Sequence, residues 1–166
     1  MNGRKGSLLQ RLVESVSHVA SRRGVYLGRR STKLHVALYR RTNGRLGATM
    51  PVFPEAKILL LNHVGAKSGT LRTSPVMYHA TGDTIAIVAS KAGQPTHPAW
   101  YHNLKANPHT TIQIGADHRP VTARVATDAE RALLWPEFVA FFPSYDFYQR
   151  NASPRIIPIL LLTPRR

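Results

Sequence analysis

The 166-residue chain contains no cysteine, which excludes disulfide bonds, thiolate catalysis and thiolate-bound zinc. It has only eight Asp and Glu residues, and none of them form the close carboxylate pair that glycoside hydrolysis requires. The eight histidines are scattered and no H-E-x-x-H motif occurs, so we predict no metal site. An enzyme this poor in general acids must take its reactivity from a cofactor.

Long hydrophobic segments are also missing. The longest apolar runs, near Ile58 and Ile159, have four to five residues, far fewer than the roughly 18 that span a bilayer. The amino-terminal segment lacks the continuous apolar core of a secretory signal. We therefore expect a cytoplasmic protein with one folded body, because a chain of this length holds one ordinary domain.

Positive charge is abundant and unevenly distributed. The formal net charge is +15. Residues 1–50 contain eleven Lys and Arg against Glu14 alone, whereas residues 51–166 contain twelve Lys and Arg against seven Asp and Glu. We therefore predict a basic, helical amino-terminal extension over residues 1–50 and a folded body over residues 51–166.

Two helices are predicted in the extension. Apolar residues at helical spacing over residues 7–20 indicate an amphipathic helix, and a second helix is predicted over residues 31–43. Three explanations are open: the helices pack on the body, they bind an anionic membrane surface, or they form a nucleic-acid arm. The nucleic-acid arm is least favoured, because only Tyr26 and Tyr39 interrupt the cations and base stacking needs interleaved aromatic residues.

The body has the pattern of an antiparallel β protein. Six short strand-like runs are separated by tight turns, and the helices between them are few. This pattern predicts a mostly β protein with flanking helices (α+β), built on a closed or nearly closed antiparallel barrel. The predicted strands are residues 57–63, 73–79, 84–90, 110–114, 121–126 and 156–162, and the predicted helices are residues 98–106, 127–142 and a short segment that contains Tyr145 and Tyr148.

A glycine loop between the first two strands carries two cations and a hydroxyl. Its two glycines allow a tight turn with free backbone N–H groups, so Lys67, Ser68, Gly69 and Arg72 outline an anion-binding site. A solvated hairpin turn with surface charges is the alternative. A phosphate loop of the nucleotide hydrolases is excluded, because Lys67 would need a preceding glycine and Ala66 stands there.

Two further segments are candidates for cofactor binding. In residues 89–93 a strand ends in a turn of small residues, whose N–H groups can meet the oxygens of a flat heterocycle. Residues 98–108 predict a helix that presents Trp100 and, three residues later, Asn103 on a similar face.

Together these segments resemble the deazaflavin-dependent nitroreductase family of mycobacteria and other actinobacteria. The resemblance covers about residues 40–163 and depends on the order and spacing of several short motifs. They are Lys67-Ser68-Gly69 with Arg72, Ala89-Ser90-Lys91 with Gly93, Pro98-Ala99-Trp100-Tyr101 with Asn103-Leu104 and Asn107-Pro108, Trp135-Pro136, and Phe142-Pro143-Ser144-Tyr145 followed by Tyr148-Gln149.

The resemblance implies a split β-barrel related to the FMN-binding oxidases, with reduced coenzyme F420 as hydride donor and FMN as the alternative cofactor. The glycine loop would hold the phosphate and acidic tail of F420, and Ser90 would take part in catalysis. Tyr145 and Tyr148 would close the pocket over the substrate, where one hydroxyl donates a proton or a hydrogen bond. The implied cofactor-binding residues are Lys67, Ser68, Gly69, Arg72, Ser90, Lys91, Ala92, Gly93, Trp100 and Asn103.

Two positions depart from the family pattern. Ala66 stands where the family usually has Arg, which removes one cation, and Phe142 replaces a tyrosine of some members, which bears on nitroimidazole reduction. The resemblance implies a reductase of quinones, nitro compounds or activated enones, and a basic amphipathic amino terminus suits access to a membrane-dissolved quinone. The alternative is a non-enzymatic basic module that binds a membrane or nucleic acid through residues 1–50.

Overall fold

The computed structural model describes residues 29–50 and 53–165, together with Ser15. The predicted helix over residues 7–20 otherwise lies outside the described residues. A short 3-10 turn, Lys91–Gly93, follows the fourth strand. The helices are α1 (Arg29–Arg41), α2 (Ala99–Ala106), α3 (Asp128–Phe141) and α4 (Ser144–Ala152). The strands are β1 (Thr49–Met50), β2 (Phe53–Val64), β3 (Leu71–Thr81), β4 (Thr84–Val88), β5 (His109–Ile114), β6 (Asp117–Val125) and β7 (Ile159–Pro164).

Six of the strands form a closed antiparallel barrel. Their order is β2-β3-β4-β7-β6-β5, and β5 pairs again with β2, where Leu60 lies opposite Gln113 and Leu61 opposite Ile112. The short strand β1 pairs with β2 outside this ring. Closing the sheet pairs edge strands that would otherwise be exposed. The predicted fold class, a split antiparallel β-barrel with flanking helices, is confirmed.

Each of the six barrel strands differs from its predicted bounds at one or both ends, and two of the differences have a local cause. The closing strand, predicted over residues 156–162, begins only at Ile159 because Pro158 has no N–H to give to a ladder. Strand β6 begins at Asp117, earlier than predicted, because its first residues pair with β5 in a tight hairpin at Gly115. The topology is the same in both cases.

The inside of the barrel is a hydrophobic core that α2 closes. Alternate residues of β2, Leu59 and Leu61, point inward and are buried with Val76 of β3. Trp100 and Leu104 of α2 pack into the same cluster. Burial of each large side chain contributes about 1.5–3 kcal/mol. This packing fixes the position of Trp100 relative to the barrel.

A second hydrophobic cluster lies outside the barrel. Helices α3 and α4 cover β4 and β7, where Val88 and Leu161 belong to the same cluster as Phe138, Tyr145 and Tyr148. Both faces of these two strands are therefore buried. This explains why their sequences are nearly continuous apolar runs rather than alternating ones.

Helix α3 begins with a capping box at Thr127, where the predicted helix over residues 127–142 begins. The Thr127 hydroxyl accepts the Glu130 N–H at 3.2 Å, and the Glu130 carboxylate accepts the Thr127 N–H at 2.8 Å. The Arg124 guanidinium donates to the same carboxylate at 2.6 Å. These bonds, that of Arg124 above all, lower the pKa of Glu130 to about 2. The reciprocal pair satisfies backbone groups that the first helical turn leaves unpaired.

Helix α1 packs on the barrel, which agrees with the first of the three explanations for this segment. Tyr39 is fully buried, and its hydroxyl donates to the Ile58 carbonyl at 3.1 Å and accepts the Gly115 N–H at 3.0 Å. Arg40 donates to the Thr73 hydroxyl at 3.0 Å. The division of the chain at residue 50 stays a prediction.

None of the described helices is long and apolar enough to cross a bilayer.

Candidate active site

A cavity of about 310 Å³ lies where β3, the turn after β4 and α4 meet. Residues 74–77 of β3 line it, and Thr32 of α1 and Val88 of β4 also contribute. A concave space with mostly apolar walls and a few polar groups is typical of a small-molecule site. Six residues predicted to form the site line this cavity: Ser90, Lys91, Ala92, Trp100, Tyr145 and Tyr148.

The turn after β4 has a backbone conformation that side chains rarely adopt. Lys91 and Ala92 both have a φ of 50°, in the left-handed region, and Gly93 has a φ of 73°. A residue other than glycine in this region costs about 1–3 kcal/mol. Such strain persists only where the surroundings fix it, and it is concentrated at functional sites.

Arg155, between α4 and β7, fixes this turn. Its guanidinium donates to the carbonyl oxygens of Ser90 at 2.9 Å and Gln94 at 2.6 Å, with a longer bond of 3.3 Å to Ala89. Partial burial lowers the pKa of Arg155. The sequence gives no signal for this role, because an isolated arginine forms no motif and its partners are 61 to 66 residues away.

Gly93 places the turn directly against α4. A Cβ at this position would lie 2.9 Å from both the Cα and the carbonyl oxygen of Tyr148. The Asn151 amide also donates to the Gly93 carbonyl at 3.0 Å. The turn and the helix therefore form one unit, which holds Ser90 and Tyr148 at the same cavity.

Replacing Gly93 by alanine is expected to lower the free energy of unfolding by about 2–4 kcal/mol, because the methyl group overlaps the α4 backbone at a positive φ. Gly82→Ala is the matched control: Gly82 has a φ of 59°, but a Cβ there meets nothing within 4 Å. The control should lose only about 1 kcal/mol. Denaturant unfolding measures the free energy of unfolding of both variants. Equal losses in Gly93→Ala and Gly82→Ala would contradict the close packing of the turn against α4.

Tyr145 and Tyr148 belong to an aromatic cluster on α4. Tyr145 is 1% exposed and Tyr148 8%, their ring centroids are 6.2 Å apart, and the Phe142 ring lies 5.2 Å from that of Tyr145. Burial raises the pKa of Tyr145, so its hydroxyl keeps its proton at physiological pH. A buried neutral phenol at a cavity wall is a hydrogen-bond donor.

The predicted anion-binding loop is the tight turn between β2 and β3. Gly69 has a φ of 63°, and the Ser68 hydroxyl folds back to the Thr70 N–H at 3.4 Å. The side chains of Lys67 and Arg72 are exposed, and neither forms an ion pair within the described part of the chain. These loop residues do not line the cavity. They present two unpaired cations at one turn, which suits an anion.

Asn103 connects this hairpin to α2 and does not line the cavity. Its carbonyl oxygen accepts the Ala66 N–H at 3.0 Å, and its amide nitrogen lies 2.8 Å from His63 Nδ1. His63 Nε2 lies 3.0 Å from the hydroxyl of Ser74, a cavity residue. A continuous series of hydrogen bonds, called here the polar row (Ala66, Asn103, His63 and Ser74), therefore joins the loop to the cavity.

His63 and Ser74 were not predicted as site residues. His63 is 3% exposed, and burial together with the positive charge of Arg72 lowers its pKa to about 4. Its imidazole is therefore neutral at physiological pH. The sequence does hold a signal, because His63 follows Leu59 and Leu61 at the period of a strand and so points inward. In residues 29–50 and 53–165, no three His, Asp or Glu side chains are grouped to bind a metal ion.

The chain is similar to proteins named as F420-dependent reductases. Residues 31–164 match the family model of F420H(2)-dependent quinone reductase. A Mycobacterium tuberculosis protein named F420H(2)-dependent quinone reductase is 42% identical over 143 residues, which cover 84% of this chain and 94% of that protein. Among solved structures, an F420-H2 dependent reductase (FDR-A) is 40% identical with a TM-score of 0.58, covering 63% of this chain and 92% of its own.

A second solved structure, described as a domain-swapped dimer, is 35% identical with a TM-score of 0.61, covering 80% of this chain and 95% of its own. The family match spans every strand of the barrel and includes every residue that lines the cavity. The implied family and cofactor are therefore confirmed. This chain belongs to the F420H(2)-dependent quinone reductase family, which makes it an oxidoreductase with coenzyme F420 as its cofactor.

Proposed function

We propose that the protein transfers a hydride from reduced F420 to a quinone held in the cavity. The observation that carries this proposal is the meeting of a strained turn, Trp100 and two buried tyrosines at one cavity. The family and the relative from M. tuberculosis are named for quinone reduction, which supports this class of acceptor. Nitro compounds and activated enones, which also accept hydride, are the alternative acceptors.

The residues present suit a planar cofactor with an anionic tail. In this proposal residues 67–69 and Arg72 hold the phosphate and acidic tail, since charge-assisted bonds to such groups are strong. Residues 90–93 lie along the ring, Trp100 supports it, and Asn103 fixes the hairpin through its bond to the loop backbone. When bound, reduced deazaflavin supplies the hydride, and the chain supplies binding, orientation and electrostatics.

Tyr145, Tyr148 and Ser90 are proposed as the catalytic groups that meet the acceptor. Negative charge develops on an acceptor oxygen as hydride arrives, and a hydrogen-bond donor at that oxygen lowers the barrier. The Tyr145 hydroxyl is available as a donor because burial raises its pKa. The packed aromatic rings around it exclude water, which strengthens such electrostatic interactions.

Removing the tyrosine hydroxyl that meets the acceptor is expected to lower kcat about tenfold, since a hydrogen bond to developing charge contributes about 1.4 kcal/mol. The kcat of Tyr145→Phe and of Tyr148→Phe is compared with that of the unmodified chain at saturating quinone. The Kd of F420 should stay within about twofold of the value for the unmodified chain. Tyr101→Phe, at a half-buried tyrosine outside the cavity lining, is the control. An unchanged kcat in both variants would remove the tyrosines from the proposed chemistry.

Turnover of the full chain with reduced F420 tests the function. Quinone, nitro and enone acceptors are supplied in turn, and formation of oxidised deazaflavin is followed by absorbance. The proposal predicts the highest kcat/KM with quinones and no turnover when reduced FMN replaces reduced F420. A chain that turns over only with reduced FMN, or reduces none of the acceptors, would overturn it.

A peripheral position at the inner face of the cell membrane is proposed for access to membrane-dissolved quinones. On α1, Leu34 is 70% exposed and Leu38 41%, and exposed Arg30 and Lys33 lie beside them. Thr32 of the same helix lines the cavity. An exposed apolar pair flanked by cations is typical of interfacial helices. In this proposal residues 1–50 act as a basic extension of the barrel.

Replacing Leu34 and Leu38 together by serine is expected to reduce co-sedimentation with anionic phosphatidylserine vesicles about tenfold, because partial burial of two leucines contributes about 1.4 kcal/mol. Leu133→Ser on α3, where Leu133 is 75% exposed, is the control and should bind as the unmodified chain does. Vesicle binding that does not change in the double variant would contradict a role for α1.

A further inference from the structure

We infer that His97 is a pH-sensitive positioning residue for the cofactor. Its unprotonated ring directs Arg155 onto the turn that follows β4, and protonation of the ring releases Arg155 and weakens F420 binding. The inference deepens the proposed function and rests on it, because the proposal places residues 90–93 of this turn along the deazaflavin ring.

The five N–H donors of the Arg155 guanidinium all meet an acceptor. Nε donates to the Gln94 carbonyl oxygen at 3.1 Å, and Nη2 donates to the same oxygen at 2.6 Å and to that of Ser90 at 2.9 Å. Nη1 donates to the Ala89 carbonyl oxygen at 3.3 Å and lies 3.2 Å from Nδ1 of His97. A rigid fork of five donors suits this set of acceptors, whereas the point charge of a lysine does not.

His97 is the one acceptor in this set that can change its charge, because the other acceptors are backbone carbonyl oxygens. Arg155 only donates, so the Nδ1 atom that it meets is unprotonated and the ring hydrogen is on Nε2. A second proton on the ring would place an N–H group and a positive charge against the guanidinium. The bond to Nη1 would then be lost, and the two cations would repel each other.

The charged groups that the described residues place against His97 oppose its protonation. The imidazole is half-buried against the Tyr101 ring of α2, with ring centroids 4.4 Å apart, and the His102 ring lies 5.8 Å away. Burial lowers the pKa of His97, and the positive charges of Arg155, His102 and Lys105 lower it further. The ring is therefore neutral at physiological pH and gains its second proton only in acid.

Loss of the Arg155 bond affects the turn because the turn is strained. Lys91 and Ala92 both have a φ of 50°, a conformation that persists only while the surroundings fix it. The Lys91 ammonium also donates to the hydroxyl of Thr96, the residue before His97, at 2.6 Å, so the turn and the histidine are joined by a second contact. Binding that requires the strained turn weakens as the fraction of chains that hold it falls.

The Kd of F420, measured by calorimetric titration of the full chain between pH 7.5 and pH 5, tests the inference. In the unmodified chain the Kd should rise about tenfold over this range, because one hydrogen bond to a charged group is lost. The rise should begin below about pH 6.5, since the pKa of His97 lies below that of an exposed histidine. Circular dichroism at each pH shows that the chain is folded.

His97→Asn separates positioning from packing. The amide oxygen of asparagine replaces Nδ1 as an acceptor for Arg155, and it does not titrate. At pH 7.5 the Kd should therefore stay within about threefold of the value for the unmodified chain, and the rise in acid should disappear. His97→Leu removes the acceptor and should bind F420 about tenfold more weakly at every pH. His97→Gln supplies the comparison if the asparagine variant does not fold.

His102→Asn and Arg155→Lys complete the set. His102→Asn removes an exposed histidine of the same cluster and should keep the rise in acid, moved to slightly higher pH because one positive charge near His97 is gone. Arg155→Lys keeps the charge but loses the fork, so it should weaken F420 binding about tenfold at pH 7.5.

Two results would overturn the inference alone. One is an equal rise of Kd in acid in the unmodified chain and in His97→Asn, since titration of the cofactor itself is the same in both experiments and cancels. The other is a Kd for Arg155→Lys within about twofold of the value for the unmodified chain. An unmodified chain that binds no F420 at any pH would overturn the proposed function as well.

Discussion

Replacing Lys67 and Arg72 together by alanine is expected to raise the Kd of F420 about 150-fold, which corresponds to about 3 kcal/mol. A charge-assisted bond contributes about 1.5–3 kcal/mol, and the lower value applies to each residue here because both side chains are exposed to screening solvent. Each single substitution should weaken binding by about tenfold. Fluorescence titration of the purified variants measures the change.

Lys57→Ala with Arg165→Ala is the matched control for this prediction. The pair removes the same charge from two exposed cations outside the hairpin and the cavity lining, so long-range attraction falls equally. Its Kd should stay within about threefold of the unmodified chain. Added salt should also weaken binding more in the unmodified chain than in the Lys67 and Arg72 variant. Equal losses in both double variants would contradict a specific anion site at the hairpin.

Acidification from pH 7 to pH 4 is expected to remove about 3 kcal/mol of the free energy of unfolding through His63 alone. The pKa of His63 is about 4 in the folded chain, against about 6.5 for an exposed histidine. Between these values the unfolded chain binds more protons than the folded one, so stability falls as pH falls. Above pH 6.5 the ring is neutral in both states and its contribution is fully present.

Denaturant unfolding of the unmodified chain and of His63→Gln at pH 7 and pH 4 measures this loss. The unmodified chain should lose about 3 kcal/mol more than the variant, which has no imidazole to protonate. Glu130 does not interfere, because both proteins contain it: its contribution is present above the ordinary glutamate pKa, is lost progressively as pH falls from there to about 2, and cancels in the comparison. Equal losses in the two proteins would show that His63 titrates normally.

The fold follows from signals that are local in the sequence. Alternating and continuous apolar runs predict the six barrel strands, and the Thr127 to Glu130 pattern predicts the start of α3 because a capping box forms within one helical turn. Strand ends are less predictable. They depend on which neighbour a strand meets, as the hairpin at Gly115 shows for β6.

The site is predictable only where a short segment carries it. The hairpin with Lys67 and Arg72 is visible because its glycines and cations are adjacent in sequence. The turn after β4 is visible as a run of small residues, but its left-handed backbone is not, because Lys91 and Ala92 are ordinary residues and Arg155 fixes the turn from more than 60 positions away. The polar row is hidden for the same reason, since His63 and Asn103 meet only when α2 closes the barrel.

Parallel titration of the full chain with F420 and with FMN, followed by fluorescence, tests the central claim most directly. The cations at the hairpin and the mostly apolar cavity should give saturable binding of F420 with micromolar affinity. FMN, which lacks the acidic tail, should bind at least about tenfold more weakly. Tight binding of FMN with no saturable binding of F420 would contradict the assignment of the cofactor.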